Sequence, residues 1–149
     1  MLYPLSYEGG ELRKTLSVGG SPSISAMSGP TVLVVDDDPV IVKLLQVNFE
    51  MEGYEVITAS DGEEGLQRAR ESMPDVMLLD VMMPKINGLQ VASTLKGDAT
   101  TAGIPIVLLS AKAQAADVQA GKAVADEYIT KPFDPLELLD RVSKLIAER

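Results

Sequence analysis

None of the 149 residues is cysteine, histidine or tryptophan, and only 4% are aromatic. Without cysteine or histidine there can be no disulfide, thiolate nucleophile, histidine general base or zinc site of the usual kind. Any metal held by this chain must take oxygen ligands. Long apolar runs are also missing: Val32 to Val35, Val76 to Leu79 and Ile106 to Leu109 are far too short to span a bilayer, so no membrane insertion is expected. Positive charge is scarce, with 13 Lys and Arg against 22 Asp and Glu, a net charge of −9. Binding to a phosphate backbone needs a basic face, so no direct contact with nucleic acid is expected.

What is present divides into two parts. Residues 1–30 carry Gly, Ser and Pro throughout and no sustained apolar period, which reads as a disordered or loosely attached extension. They lack a charged start followed by an apolar stretch, so they do not form a secretory signal, and Met27 offers a second translation start. Residues 31–149 read as one domain in which short β-rich runs alternate with amphipathic segments. Strands are expected at Thr31 to Val35, Glu55 to Ala59, Val76 to Leu79, Ile104 to Leu109 and Glu127 to Ile129. Helices are expected at Pro39 to Glu52, Glu63 to Ser72, Gly88 to Lys96, Ala113 to Lys122 and Pro135 to Ala147, with Asp38 and Asp134 as caps and Gly53 as a stop. Five such units suit an α/β fold with a doubly wound five-stranded parallel sheet, flavodoxin-like, in strand order 2-1-3-4-5.

Ligand sites in such sheets lie at the carboxyl ends of the strands. There the first strand breaks into Asp36-Asp37-Asp38, the third into Asp80 and the fourth into Ser110, while Lys131-Pro132 follows the fifth. The second ends in Ser60-Asp61, read as a loop and helix cap. Taken singly, each is an ordinary cap, turn or surface residue. Together they gather carboxylates that repel one another unless a cation sits among them, and Mg²⁺ is the natural oxygen-ligated candidate. An ammonium and a hydroxyl complete a pocket for a phosphoryl group, whose transfer relies on positioning and charge neutralisation.

Residues 31–149 resemble a receiver domain of the two-component response regulators, of the single-domain CheY-like kind. The motifs are VLVVDDDP with Asp36 and Asp37, VMLLDVMMPKINGL with Asp80, IVLLSAK with Ser110, and ADEYITKPF with Tyr128 and Lys131. The resemblance implies that Asp80 is the phosphoacceptor, taking the group from a phosphohistidine of a sensor kinase or phosphotransfer protein. It implies that Asp36, Asp37, Asp80 and the Met82 backbone carbonyl hold Mg²⁺, that Lys131 and Ser110 contact the phosphoryl oxygens, and that the Lys131-Pro132 bond is cis.

It further implies a switch in which Tyr128 turns from an exposed to a buried position once Ser110 is drawn inward. Val40, Lys43 and Leu44 are where a kinase would dock. A homodimer through the fourth helix, fifth strand and fifth helix would draw on Asp126, Glu127, Arg141 and Lys144. Met82 and Lys112 cannot position a water, which implies slow self-dephosphorylation. Val124-Ala125-Asp126 departs from the Gly-Ala-Asp common in the family. The protein is expected in the cytoplasm, acting on a downstream protein target or relaying phosphate, since no further domain follows Arg149.

Other classes fit less well. An enzyme of the haloacid dehalogenase kind needs a second acid where Met82 stands, and glycine-rich nucleotide loops are absent. A phosphate-independent binding module with a receiver-like fold is the remaining alternative.

Overall fold

The computed structural model describes residues 29–148; the expected extension lies almost wholly outside them. The elements run β1 (Thr31–Val35), α1 (Pro39–Met51), β2 (Glu55–Ala59), α2 (Gly62–Ser72), β3 (Val76–Asp80), α3 (Gly88–Lys96), β4 (Ile106–Ser110), α4 (Ala115–Lys122), β5 (Glu127–Thr130) and α5 (Pro135–Ala147). All four strand pairings are parallel and the sheet order is β2-β1-β3-β4-β5, as expected.

The period of two along each strand explains how the sheet is covered on both faces. Leu33, Val35, Met77, Leu79, Ile106 and Leu108 point into a core shared with Ala69 of α2 and with Val91, Ala92 and Leu95 of α3. Val32, Val34, Val76, Leu78, Val107 and Leu109 point the other way, onto Leu45 and Phe49 of α1 and Leu138 and Val142 of α5. Each fully buried aliphatic side chain contributes about 1.5–3 kcal/mol, so these two layers supply the rigidity on which a site at the sheet edge depends.

Helix ends follow local chemistry. Asp38, Asp61 and Asp134 accept hydrogen bonds from Val40 N, Glu64 N and Leu136 N, and Asn87 forms a reciprocal capping box with Gln90 at the start of α3. Gly53 stops α1 at φ +90°, a conformation open to glycine. At the end of α2 the same left-handed role falls to Met73, at φ 45°, which is half-exposed. Met73→Gly is therefore expected to raise stability by about 0.5–1 kcal/mol, read as a higher urea midpoint.

Three strands run one residue past the end of the apolar run that marks them, to Asp80, Ser110 and Thr130. β4 also starts at Ile106, and α4 starts at Ala115, with Gln114 outside it as an N-cap whose side chain makes no capping bond.

Candidate metal and phosphoryl site

The ladder carries polar residues to the sheet's carboxyl edge. Asp80 is still in register with Leu109, and Ser110 with Thr130, so main-chain pairing fixes both Cα positions. Asp36 follows β1 directly, and its amide donates to Ala59 O at 3.2 Å. Lys131 follows β5, its amide donating to Ser110 O at 2.7 Å, and its bond to Pro132 is cis.

These anchors bring the side chains together. Lys131 Nζ lies 3.0 Å from Asp36 Oδ2 and 3.2 Å from Asp80 Oδ1, bridging two carboxylates that are both almost fully buried. Asp36 Oδ1 also accepts from Asp38 N at 2.9 Å, and Asp80 Oδ1 accepts from Met82 N at 3.3 Å. Asp37 is exposed, yet carboxylate oxygens of Asp36, Asp37 and Asp80 lie within 4.8 Å of one another. Three carboxylates face a single ammonium, and the hard oxygen donors left over match a divalent cation.

The electrostatics reflect this crowding. Burial raises the Asp80 carboxyl from 3.8 to about 6, and the Asp36 charge adds to the rise, while Lys131 and the Met82 amide work against it. For Lys131, burial opposes the charge, but its bonds to Asp36 and Asp80 outweigh burial and hold the ammonium above the ordinary lysine range.

The buried Ser110 closes the edge on the β4 side, its Oγ accepting from Lys112 N at 3.0 Å. Val40, Lys43 and Leu44 stand exposed on α1. Sequence reasoning did not single out Gly88. Its amide donates to Val81 O at 3.0 Å, and a Cβ there would collide with the Asp80 carbonyl and come within 2.8 Å of the Val81 Cα. The signal was the Asn-Gly pair at the head of α3: only a glycine lets that helix close onto the strand bearing Asp80.

One expectation needs correction, and one set of charges finds partners within the chain. Tyr128 is not exposed: its ring is 8% accessible and packs in the core with Leu108, and its hydroxyl donates to the Lys112 carbonyl at 2.8 Å. The inward position is open because α4 offers Gly121 opposite the ring. The charges expected to pair between two copies already pair within one chain. Arg141 binds Glu127 at 3.0 Å and Lys144 binds Asp140 at 3.1 Å. Asp126 accepts from Ile106 N at 2.8 Å and from Lys96 Nζ at 3.2 Å.

Comparison with known proteins agrees with this geometry. The family model of the response regulator receiver domain matches residues 32–143. The DNA-binding dual master transcriptional regulator RpaA of Synechocystis is 44% identical over 118 residues, which are 78% of this chain and 49% of that protein. The alkaline phosphatase synthesis transcriptional regulatory protein PhoP of Bacillus subtilis is 47% identical over 116 residues, 77% of this chain and 48% of the relative. Among solved structures, the chemotaxis protein CheY4 of Vibrio cholerae superposes with a TM-score of 0.74 at 33% identity, over 79% of this chain and 99% of that one.

The chain thus spans about half the length of these two regulators, and RpaA is DNA-binding by name. That overturns the partner set expected from the acidic composition, which excluded nucleic acid. The balance of charge in a receiver-like domain reports only on that domain's own surface, and it is silent on what the relatives carry in their other half. No helix among the described residues is long and apolar enough to cross a membrane. With Asp36, Asp37, Asp80, Ser110 and Lys131 meeting at one sheet edge and the family model spanning most of it, the chain belongs to the response regulator receiver domains of two-component signalling.

Proposed function

We propose that this domain accepts a phosphoryl group on Asp80 from a phosphohistidine of a sensor kinase or phosphotransfer protein, and that the acyl phosphate resets a protein-binding face. The observation that carries the reading is the bridged pair: Lys131 Nζ sits within 3.2 Å of both Asp36 and Asp80, beside a third carboxylate. In the transfer, an Asp80 carboxylate oxygen forms a bond to phosphorus as the phosphorus–nitrogen bond breaks, and the imidazole leaves with the electron pair and takes a proton. Lys131 neutralises phosphoryl oxygens as the group arrives, and Ser110 offers its hydroxyl to one of them.

Asp36, Asp37, Asp80 and the Met82 carbonyl are the groups that would hold Mg²⁺. When bound it supplies charge neutralisation for the incoming oxygens. Self-catalysed phosphorylation makes the domain a switch rather than an enzyme acting on a separate substrate. The transcriptional roles named for RpaA and PhoP suggest gene regulation as the output of the signal.

The test is intact mass after incubation with Mg²⁺ and acetyl phosphate. The native chain is expected to gain one phosphoryl group, and Asp80→Ala to gain none. A folded native chain that gains nothing would favour a phosphate-independent binding module.

A further inference from the structure

The helix α4 is weakly anchored. Among Ala115–Lys122 only Gly121 is buried, Val118 reaches the core in part, and the N-cap residue Gln114 makes no side-chain capping bond. Ala115, Ala116, Gln119 and Ala120 are exposed. A helix of eight residues with so little apolar burial does not hold itself on a sheet by propensity alone.

Beyond the partial burial of Val118, what seats it is one side chain from the neighbouring strand. The Tyr128 ring lies against Gly121 so closely that a Cβ there would collide with Cδ2 and come within 2.7 Å of Cε2 and 3.2 Å of Leu108 Cδ1. At the other end of the segment, the Tyr128 hydroxyl binds the Lys112 carbonyl at 2.8 Å, and the Lys112 amide binds Ser110 Oγ at 3.0 Å. Gly121 is in an ordinary helical conformation, so backbone freedom does not explain the glycine. The space taken by the ring does.

We infer that Gly121 is the positioning residue for Tyr128, and that Tyr128, seated in the notch Gly121 leaves, clamps α4 and the loop from Ser110 to the sheet before any event at Asp80. The inference goes beyond phosphoryl acceptance and does not depend on it, because the clamp is assembled from α4, β5 and the loop alone.

The full chain has four tyrosines and no tryptophan, so 3-fluorotyrosine labelling gives a spectrum simple enough to assign, with Tyr128→Phe identifying the Tyr128 resonance. In the native chain that resonance is expected to be shielded from a soluble gadolinium chelate. Gly121→Ala is expected to bring it into contact with the chelate and to speed amide exchange across α4 about tenfold. In a Tyr128→Ala background the same substitution has no ring to displace, so α4 exchange should stay level or slow, because alanine is the better helix former. Tyr128→Phe, which removes the resonance, should leave α4 exchange near the native rate while loosening the Lys112 loop. A shielded Tyr128 in Gly121→Ala would overturn the inference. So would an equal rise in α4 exchange in both backgrounds, which would leave Gly121 a matter of helix packing only.

Discussion

Lys131→Met is expected to destabilise the metal-free protein by about 3 kcal/mol near pH 7.5 and by much less near pH 4. The substitution removes the ammonium shared by Asp36 and Asp80, whose side chains are 1% and 5% accessible, and leaves two carboxylates facing each other out of water. Breaking a buried pair costs about 3–5 kcal/mol, and the lower end applies because the lysine side chain keeps 21% of its accessibility. In acid, a proton on Asp80 relieves the repulsion and the cost shrinks. At the alkaline end, the lysine's raised pKa means that its own contribution in the native protein is complete below the ordinary lysine range and is lost as pH climbs from that range through the folded value. Urea denaturation in EDTA at the two pH values checks this. An equal loss at both would mean that Lys131 acts through its aliphatic stem and not its charge. Phosphoryl uptake from acetyl phosphate should also be lost.

Asp80→Asn is expected to have the opposite sign, raising stability in EDTA at pH 7.5 by about 2 kcal/mol. Burial and Asp36 lift the Asp80 carboxyl from 3.8 to about 6 in the folded state, so folding favours the protonated form. The folded chain therefore binds more protons than the unfolded one between those values. Native stability falls as pH rises through that window and levels off above it. A shift of about two pKa units corresponds to roughly 3 kcal/mol, and about 2 is expected because the asparagine gives up part of the Lys131 interaction. The variant should lose the fall, and Mg²⁺ should flatten it in the native protein while stabilising the variant far less. Melting temperatures across pH 4–8, with and without Mg²⁺, decide the matter. A native profile that stays level in EDTA would show that Asp80 carries no unfavourable charge. Because Asp80 and Lys131 are partners, combining the two substitutions should cost less than their separate effects predict.

Much of this was legible in the sequence, for reasons that also account for what was not. Both faces of the sheet are covered, so Val32 to Val35 and Val76 to Leu79 appear as unbroken apolar runs, and their number and spacing pointed to the strand order. The runs understate the strands because the ladder continues through Asp80, Ser110 and Thr130, where the backbone still pairs but the side chains turn polar. Two of those positions, Asp80 and Ser110, are ones the site uses, since pairing fixes a polar group at the sheet edge. Asp36, Asp37, Asp80 and Lys131 could be picked out because charges that recur at the strand ends of one sheet converge on one edge, where they must interact. The inward Tyr128 could not, because it depends on a missing side chain at Gly121, on another element. Met73 in a left-handed turn left no trace either, since nothing in its residue type announces that geometry.

The strand pairings set the order in which this chain can fold. Every pair joins strands separated by a full helix, from Val107 with Glu127 to Val32 with Val76, and none is a hairpin. No strand pair can therefore form locally as a seed, and loop closure must precede any gain from the sheet, which makes for slow folding at a given stability. β1 and β4 are the natural nucleus strands, because each pairs with both its immediate successor in sequence and the central β3. Substitutions at Val32 to Val35 should slow folding, whereas those in β5, which pairs on one side only, should mainly speed unfolding.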